Sequence, residues 1–300
     1  MNVKLIEDIA AAVMYEGYLL YPYRRSAIKN RQRWNFGVLS PRAYADQSGC
    51  DAWTMQTECL LRADAESEPS IRVRFLHLSE TTVEGQSWQK ATEREISPVG
   101  FRLSALCNPT RRQRIAFAPE KNQQPVEVMV EAKAERLGDG LFKLHVGILN
   151  VSPFNGADRE DALARSLVST HTILGIDRGH YVSLLDPPEE LRDAAAACKN
   201  VGTWPVLVGE EKDRDAMLSS PIILYDYPRI APESPGALFD GTEIDEILTL
   251  RIMTLTDQEK AEMAQADERS REILERTESM PPEQFLKLHG ALRSLGAEQD

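Results

Sequence analysis

Between residues 50 and 152 apolar side chains recur at every second position. Ile71, Val73 and Phe75 alternate with Arg72 and Arg74, the period of a strand with one buried face. Val126, Val128, Val130 and Ala132 alternate with Glu127, Met129, Glu131 and Lys133, and Phe142, Leu144, Val146 and Ile148 repeat the pattern. Gly138-Asp139-Gly140 separates these two runs, and Asp-Gly favours a hairpin because the turn needs positive φ. Shorter strand candidates are Met55–Leu61, Ser87–Ile96, Phe101–Leu106 and Arg114–Phe117. Six or seven strands joined by polar turns predict an antiparallel β-sandwich or barrel.

The pattern changes after Pro153. Asp158 is placed to cap a helix running to about Leu174, with Leu163, Leu167 and Leu174 on its apolar face and Gly175 as its stop. Tyr181–Leu185 reads as a strand. Asp186-Pro187-Pro188-Glu189 then opens a helix ending near Lys199-Asn200, with Asp as cap and Pro in the first turn. Trp204–Val208 and Pro221–Tyr225 are apolar runs of strand length. Residues from Asp226 to Gly241 are rich in Pro and Gly and read as loop. Helix signals return with Thr242, with the capping box Thr256/Glu259, and with Pro281-Pro282-Glu283. The charge-rich stretch from Ala261 to Ser279 reads as a solvated face. The expected class is α+β: an antiparallel β-sandwich or barrel, a small mixed α/β region, and a helical C-terminal tail. The expected divisions are an N-terminal segment 1–49, a β domain 50–153, the mixed region 154–240 and an acidic tail 241–300.

Composition narrows the function classes. The 300 residues, 42% apolar and 27% charged, suffice for a real core. No apolar run approaches the roughly 18 to 20 residues that span a bilayer, and Glu7 and Asp8 interrupt the first apolar stretch, unlike a secretory signal. A cytoplasmic location without membrane association is expected. The four cysteines, Cys50, Cys59, Cys107 and Cys198, have no CxxC spacing and read as free thiols. A formal net charge of -12 argues against nucleic-acid binding, which needs cations to displace counterions from phosphate.

That charge is unevenly spread. From Tyr15 to Asn35 there are five Lys/Arg and one acid, whereas Asp240 to Asp300 holds fifteen acids and seven Lys/Arg. Four of the eight tyrosines also fall in the opening segment Tyr15–Phe36. Tyrosine and arginine are large, semi-rigid and amphipathic, the side chains that recognition surfaces favour. The segment therefore reads as a docking strip, with Tyr18, Tyr21, Tyr23, Arg24, Arg25 and Trp34 as partner-binding candidates. The proline-rich stretch from Tyr225 to Gly236 reads as a second contact, since proline limits the conformations a loop loses on binding.

Catalytic signatures are sparse. Ser26 and Lys29 match S-x-x-K without the companion motifs of that chemistry. The five histidines, His77, His145, His171, His180 and His289, show no paired metal-ligand spacing. His171, His180, Asp186 and Cys198 form an alternative reading, an enzyme or metal-handling site assembled around the turn after residue 174. Capping and the helix dipole already account for Asp186. No phosphate loop, dinucleotide fingerprint, nucleophile elbow or zinc ribbon occurs, so no cofactor, catalytic residue or metal ligand is assigned.

Several long strings resemble an uncharacterised family encoded beside nickel–iron uptake hydrogenases of the actinobacterial, oxygen-tolerant type. They run Tyr15 to Arg24 with Lys29-Asn30-Arg31 and Trp34, Ser166 to Thr172, Ser183 to Pro188, Thr203 to Gly209, Leu218 to Ile223, Ala231 to Gly236, Glu243 to Leu250, and Met280-Pro281-Pro282. The resemblance covers both ends of the chain well and residues 50–125 poorly, and none of its strings is a catalytic signature. It implies a non-catalytic accessory or assembly protein, with a hydrogenase subunit or maturation factor as protein partner. That implication comes from genomic company rather than from chemistry.

Overall fold

The computed structural model describes residues 3–15, 36–83, 86–119, 123–156, 158–229, 252–266, 268–279 and 281. The chain divides into two compact units, Met1–Met14 with Trp34–Arg229, and Tyr15–Arg33 with Ile230–Asp300. In chain order the described strands are β1 (Thr54–Ala63), β2 (Ser70–Val83), β3 (Gln86–Ile96), β4 (Arg111–Phe117), β5 (Val126–Gly138), β6 (Leu141–Asn150), β7 (Val168–Gly175), β8 (Gly179–Val182), β9 (Trp204–Leu207) and β10 (Ala216–Ser220). The described helices are α1 (Val3–Met14), α2 (Arg42–Ser48), α3 (Leu103–Leu106), α4 (Arg159–Leu163), α5 (Arg192–Ala196), α6 (Asp257–Ala266) and α7 (Glu268–Glu278).

In the first unit the strands form two five-stranded antiparallel sheets, ordered β4-β5-β6-β1-β8 and β3-β2-β7-β10-β9. This is the expected α+β class with sandwich-like sheets. One apolar core joins them, with Leu61, Val130, Phe142 and Val146 from the first sheet and Ile71, Phe75, Leu174 and Met217 from the second. Each such side chain contributes roughly 1.5–3 kcal/mol by leaving water. The β5–β6 hairpin turns where the Asp-Gly signal stands, with Gly140 at φ 64.

Outer faces are covered in two places. Ile6, Ile9 and Ala10 of α1 pack on Ile173, Val206, Val208, Ala216 and Leu218 of the second sheet, and Arg72 of β2 meets Glu7 at 2.8 Å. On the first sheet, Leu191 and Ala195 cover Leu60 and Val182. Strands β7, β9 and β10 complete the sheet begun by β2 and β3, while β8 joins the other. The chain on both sides of residue 153 thus builds the same two sheets.

Several local expectations give way. The helix expected from Asp158 to Leu174 stops at Leu163, and Val168–Gly175 is a strand. Asp158 does cap, accepting the Asp161 N–H at 2.8 Å. Beyond it, however, the β-branched Val168, Thr170, Thr172 and Ile173 favour extended backbone and find ladder partners on both sides. Phe101–Leu106 contains the short helix α3 rather than a strand, fixed by Leu103 and Ser104 N–H donating to Ser67 and Ala65 carbonyls. Pro221–Tyr225 is not a strand either. β10 precedes it and stops where Pro221 offers no N–H. The helix expected from Asp186 reduces to a 3₁₀ turn at Glu189–Leu191 followed by α5, and Asp186 does not cap it.

In the second unit α6 and α7 pack on one another, and Lys260 reaches Glu278 at 2.9 Å. The capping box forms as expected: Thr256 N–H donates to Glu259 Oε2 at 2.9 Å and Glu259 N–H to Thr256 Oγ1 at 3.3 Å. The stretch read as a solvated face buries Met263, Ile273 and Leu274. No helix among the described residues is long and apolar enough to cross a membrane.

Candidate functional site

β7 occupies the middle of the second sheet, and every residue from Val168 to Gly175 is buried. Ser169, Thr170, His171 and Thr172 place four successive polar side chains there. Register against β2 slips at this point. Arg74 pairs with His171 but Leu76 with Val168, so Ser169 and Thr170 stand together opposite Phe75. A bulge of this kind adds a residue to one strand and re-aims it. Ser169 takes it up at φ 51, a left-handed conformation costing a non-glycine residue on the order of 1–2 kcal/mol.

His171 holds the bulge. Its Nδ1 lies 2.7 Å from the Ser169 carbonyl oxygen. A carbonyl only accepts, so Nδ1 carries the hydrogen and Nε2 keeps its lone pair. Burial pushes the imidazole pKa down to about 4; the bond to Ser169 opposes that, and the neighbouring Arg74 guanidinium adds to it.

The bulge also changes β7's neighbour. From Thr172 to Gly175 β7 pairs with β10, whereas around Leu167–Thr170 it is bonded to residues 36–39. The N–H groups of Ser169 and Thr170 donate to the Phe36 and Gly37 carbonyls, both at 3.0 Å. Gly37 sits at φ +53, and a Cβ there would lie 2.6 Å from Pro221 Cγ and 2.9 Å from Thr170 N. The position requires glycine on both counts.

An exposed apolar rim grows from this junction. Phe36 precedes Gly37, Ile223 and Tyr225 follow Pro221, and Trp204 of β9 pairs with Ser220 of β10. Phe36 is 39% exposed, Trp204 45%, Ile223 72% and Tyr225 85%. Between them Leu224 turns inward against the α1-covered cluster. Asp226 and Tyr227 then fix the end of the turn to the sheet edge. Leu207 N–H donates to Asp226 Oδ1 at 2.7 Å, Tyr227 N–H donates to the Leu207 carbonyl at 2.8 Å, and Ser183 Oγ–H donates to Asp226 Oδ2. β9 is an edge strand whose Pro205 lacks an N–H, so further strand addition is blunted while the side chains stay presented.

Beneath the rim the interior is hydroxyl-rich. Ser219 Oγ lies 2.7 Å from Thr57 Oγ1 of the opposite sheet and 2.8 Å from Thr203 Oγ1, all three residues being buried. Ser169 Oγ, Thr170 Oγ1, His171 Nε2 and Thr172 Oγ1 are buried and make no hydrogen bond.

A second polar cluster lies on the outer face of the first sheet. Glu58 of β1 and His145 of β6 are direct cross-strand partners, with Nδ1 3.3 Å from Glu58 Oε1 and Nε2 3.8 Å from Glu131 Oε1. Arg112 continues the row at 3.0 Å from Glu131. Glu58 Oε2 also accepts the Lys199 N–H at 2.8 Å, and Asn200 Oδ1 accepts the Glu58 N–H at 2.8 Å. Sequence reading missed Glu58, His145 and Glu131, because each stands alone in its own strand and only register unites them.

The alternative set of His171, His180, Asp186 and Cys198 is divided between the sheets. His171 belongs to the second sheet. His180, opposite Arg62, is exposed on β8 of the first, its pKa lowered by burial and by Arg214 and Arg62. Asp186 is exposed, its N–H donating to Ser183 Oγ at 2.9 Å. Cys198 packs on Leu60 and Val182, and burial, reinforced by Glu58, pushes its thiol pKa to about 11. Among the described residues no group of three or more His, Cys, Asp or Glu is placed to hold a metal ion. The docking-strip candidates Tyr18, Tyr21, Tyr23, Arg24, Arg25 and Trp34 lie outside the described residues.

No family model matches the chain, and no curated protein is similar to it.

Proposed function

We propose that this chain is a non-catalytic accessory protein that binds a partner protein through its aromatic surface. The observation that carries this reading is the rim of exposed Phe36, Trp204, Ile223 and Tyr225, which starts beside the Gly37–Pro221 contact and follows the loop to Asp226 at Leu207 of β9. These four exposed apolar side chains, two of them (Ile223 and Tyr225) on a loop tied to the sheet edge by Asp226, are of the anchor type that recognition surfaces use. Phe36 is also the last residue of the Tyr15–Phe36 strip, so strip and rim are continuous in the chain. Pinning the loop before association limits the conformational entropy lost on binding.

The partner class follows from the resemblance to the hydrogenase-cluster family: a hydrogenase subunit or maturation factor, met during assembly of a nickel–iron hydrogenase. Affinity purification from the native host, read by mass spectrometry, tests the assignment. Wild-type protein is expected to retain a hydrogenase subunit or maturation factor, and a Tyr21→Ala plus Arg24→Ala variant to lose it. Unchanged recovery by the variant would remove the strip from the interface, and failure to enrich any such protein would remove the partner class.

A further inference from the structure

The inner face of β7 carries more hydroxyl groups than the protein's own hydrogen bonds use. Thr172 pairs across the ladder with Val73 on one side and Ser219 on the other. Val73 belongs to the core between the sheets, and Ser219 bonds Thr57 of the opposite sheet. Cross-strand partners share a face, so Thr172 points into the space between the sheets, and Thr170, two residues earlier, does the same. Thr170 is 0% exposed and Thr172 1%, and neither Oγ1 has a hydrogen-bond partner.

A buried hydroxyl left unbonded is expensive, and valine would fill the same volume without that cost. Thr170 and Thr172 are next neighbours on one face of the strand, so their two unpartnered hydroxyls border the same interior space. The bonded trio Thr57–Ser219–Thr203 adjoins Thr172. Each hydroxyl donates once and accepts twice, so the trio retains capacity for a further neighbour. No charged side chain belongs to this group of five, which selects a neutral guest able to donate and accept together.

We propose that the inner face of β7 is an internal hydration site, in which bound water bridges Thr170 and Thr172 and extends the hydroxyl chain Thr57–Ser219–Thr203. Buried waters typically make about three hydrogen bonds to polar groups; here Thr170 Oγ1 and Thr172 Oγ1 supply two that lack partners, and the bonded hydroxyl trio has spare capacity for a third. Water here joins the β7 bulge to the opposite sheet through Thr57. It thereby stiffens the ladder from which the 36–39 segment and its exposed Phe36 are hung.

Water–protein Overhauser spectroscopy on threonine-methyl-labelled full-length protein tests the site without mutation. Cross-peaks to the water resonance are expected from the Thr170 and Thr172 methyl groups, with the sign of a long-lived bound water. Their absence, when exposed threonines give the usual short-lived signal, would overturn the proposal. Thr172→Val gives a second readout. A bridging water makes the substitution lower the melting temperature by about 2–4 °C and weakens the Thr170 cross-peak. A dry, unbonded hydroxyl makes the same substitution raise the melting temperature, which would also overturn the proposal. If Thr172→Val does not fold, Thr172→Ser keeps the hydroxyl and is expected to retain the Thr170 cross-peak; its loss counts against the site.

Discussion

Lowering the pH should destabilise the β-sheet unit through His171 in a defined window. Its imidazole is fully buried, with Nδ1–H committed to the Ser169 carbonyl and a pKa depressed to about 4 from an ordinary 6.5. As pH falls below about 6.5 the unfolded chain takes up the proton first, while the folded ring stays neutral. The unfolded state therefore gains stability relative to the folded one at about 1.4 kcal/mol per pH unit. The loss begins near pH 6.5 and is complete near pH 4, where the folded ring also protonates. A difference of about 2.5 units corresponds to roughly 3 kcal/mol, a large part of a typical domain's stability. All four tryptophans lie in the Trp34–Arg229 stretch, so their fluorescence reports unfolding of this unit alone. Urea titrations at pH 7, 6, 5 and 4.5 should be compared with those of His171→Asn. Asparagine keeps an N–H for the Ser169 carbonyl but does not titrate, so carboxylates common to both proteins cancel in the difference. The wild type should lose stability more steeply than the variant between pH 6.5 and 4.5. Parallel slopes, or a His171 resonance titrating near pH 6.5, would refute the buried neutral assignment.

Other substitutions test separate links. Gly37→Ala forces a Cβ against Pro221 and Thr170 N at φ +53; a loss of roughly 1–3 kcal/mol is expected by urea denaturation, and wild-type stability would mean the 36–39 segment is not held as described. Glu58→Ala removes the acceptor of the Lys199 N–H and the partner of His145 Nδ1; a cost of about 1–3 kcal/mol should appear with faster hydrogen exchange at the Lys199 amide, and unchanged exchange would contradict it. Thr256→Ala breaks the capping box of α6 and should cost about 1 kcal/mol, seen as helicity lost at lower temperature by circular dichroism.

The strands that sequence periodicity located are those with one polar face. β5 and β6 each show it, because residues such as Glu127, Glu131, Lys143 and His145 lie on the outer side and Val128, Val130, Leu144 and Val146 in the core. β7 defeated the same reading, because a central strand buried on both faces has no alternation to detect. Leu163, Leu167 and Leu174 happened to fit a helical face instead. Pairing between β2 and β7 and between β1 and β8 joins residues roughly a hundred positions apart, so the sharing of both sheets across residue 153 leaves no local trace. The buried polar strip was legible only as His171. Ser169, Thr170 and Thr172 look like ordinary strand residues until their burial is known. The one available signal was four consecutive polar side chains between Val168 and Ile173. Exposure of Tyr225 agrees with the proline-rich contact stretch that starts there, whereas Ile223 and Trp204 read only as residues of apolar strands.

The most direct test of the proposed partner binding is the affinity of the purified chain for the proposed partner, a hydrogenase subunit or maturation factor, measured by titration calorimetry with and without Trp204→Ala plus Tyr225→Ala. Both side chains are exposed, so the double variant should unfold with wild-type urea dependence. If the rim is the anchor, its dissociation constant should rise by about thirtyfold or more, the equivalent of one interface hot spot. An unchanged constant for a correctly folded double variant would contradict the central claim.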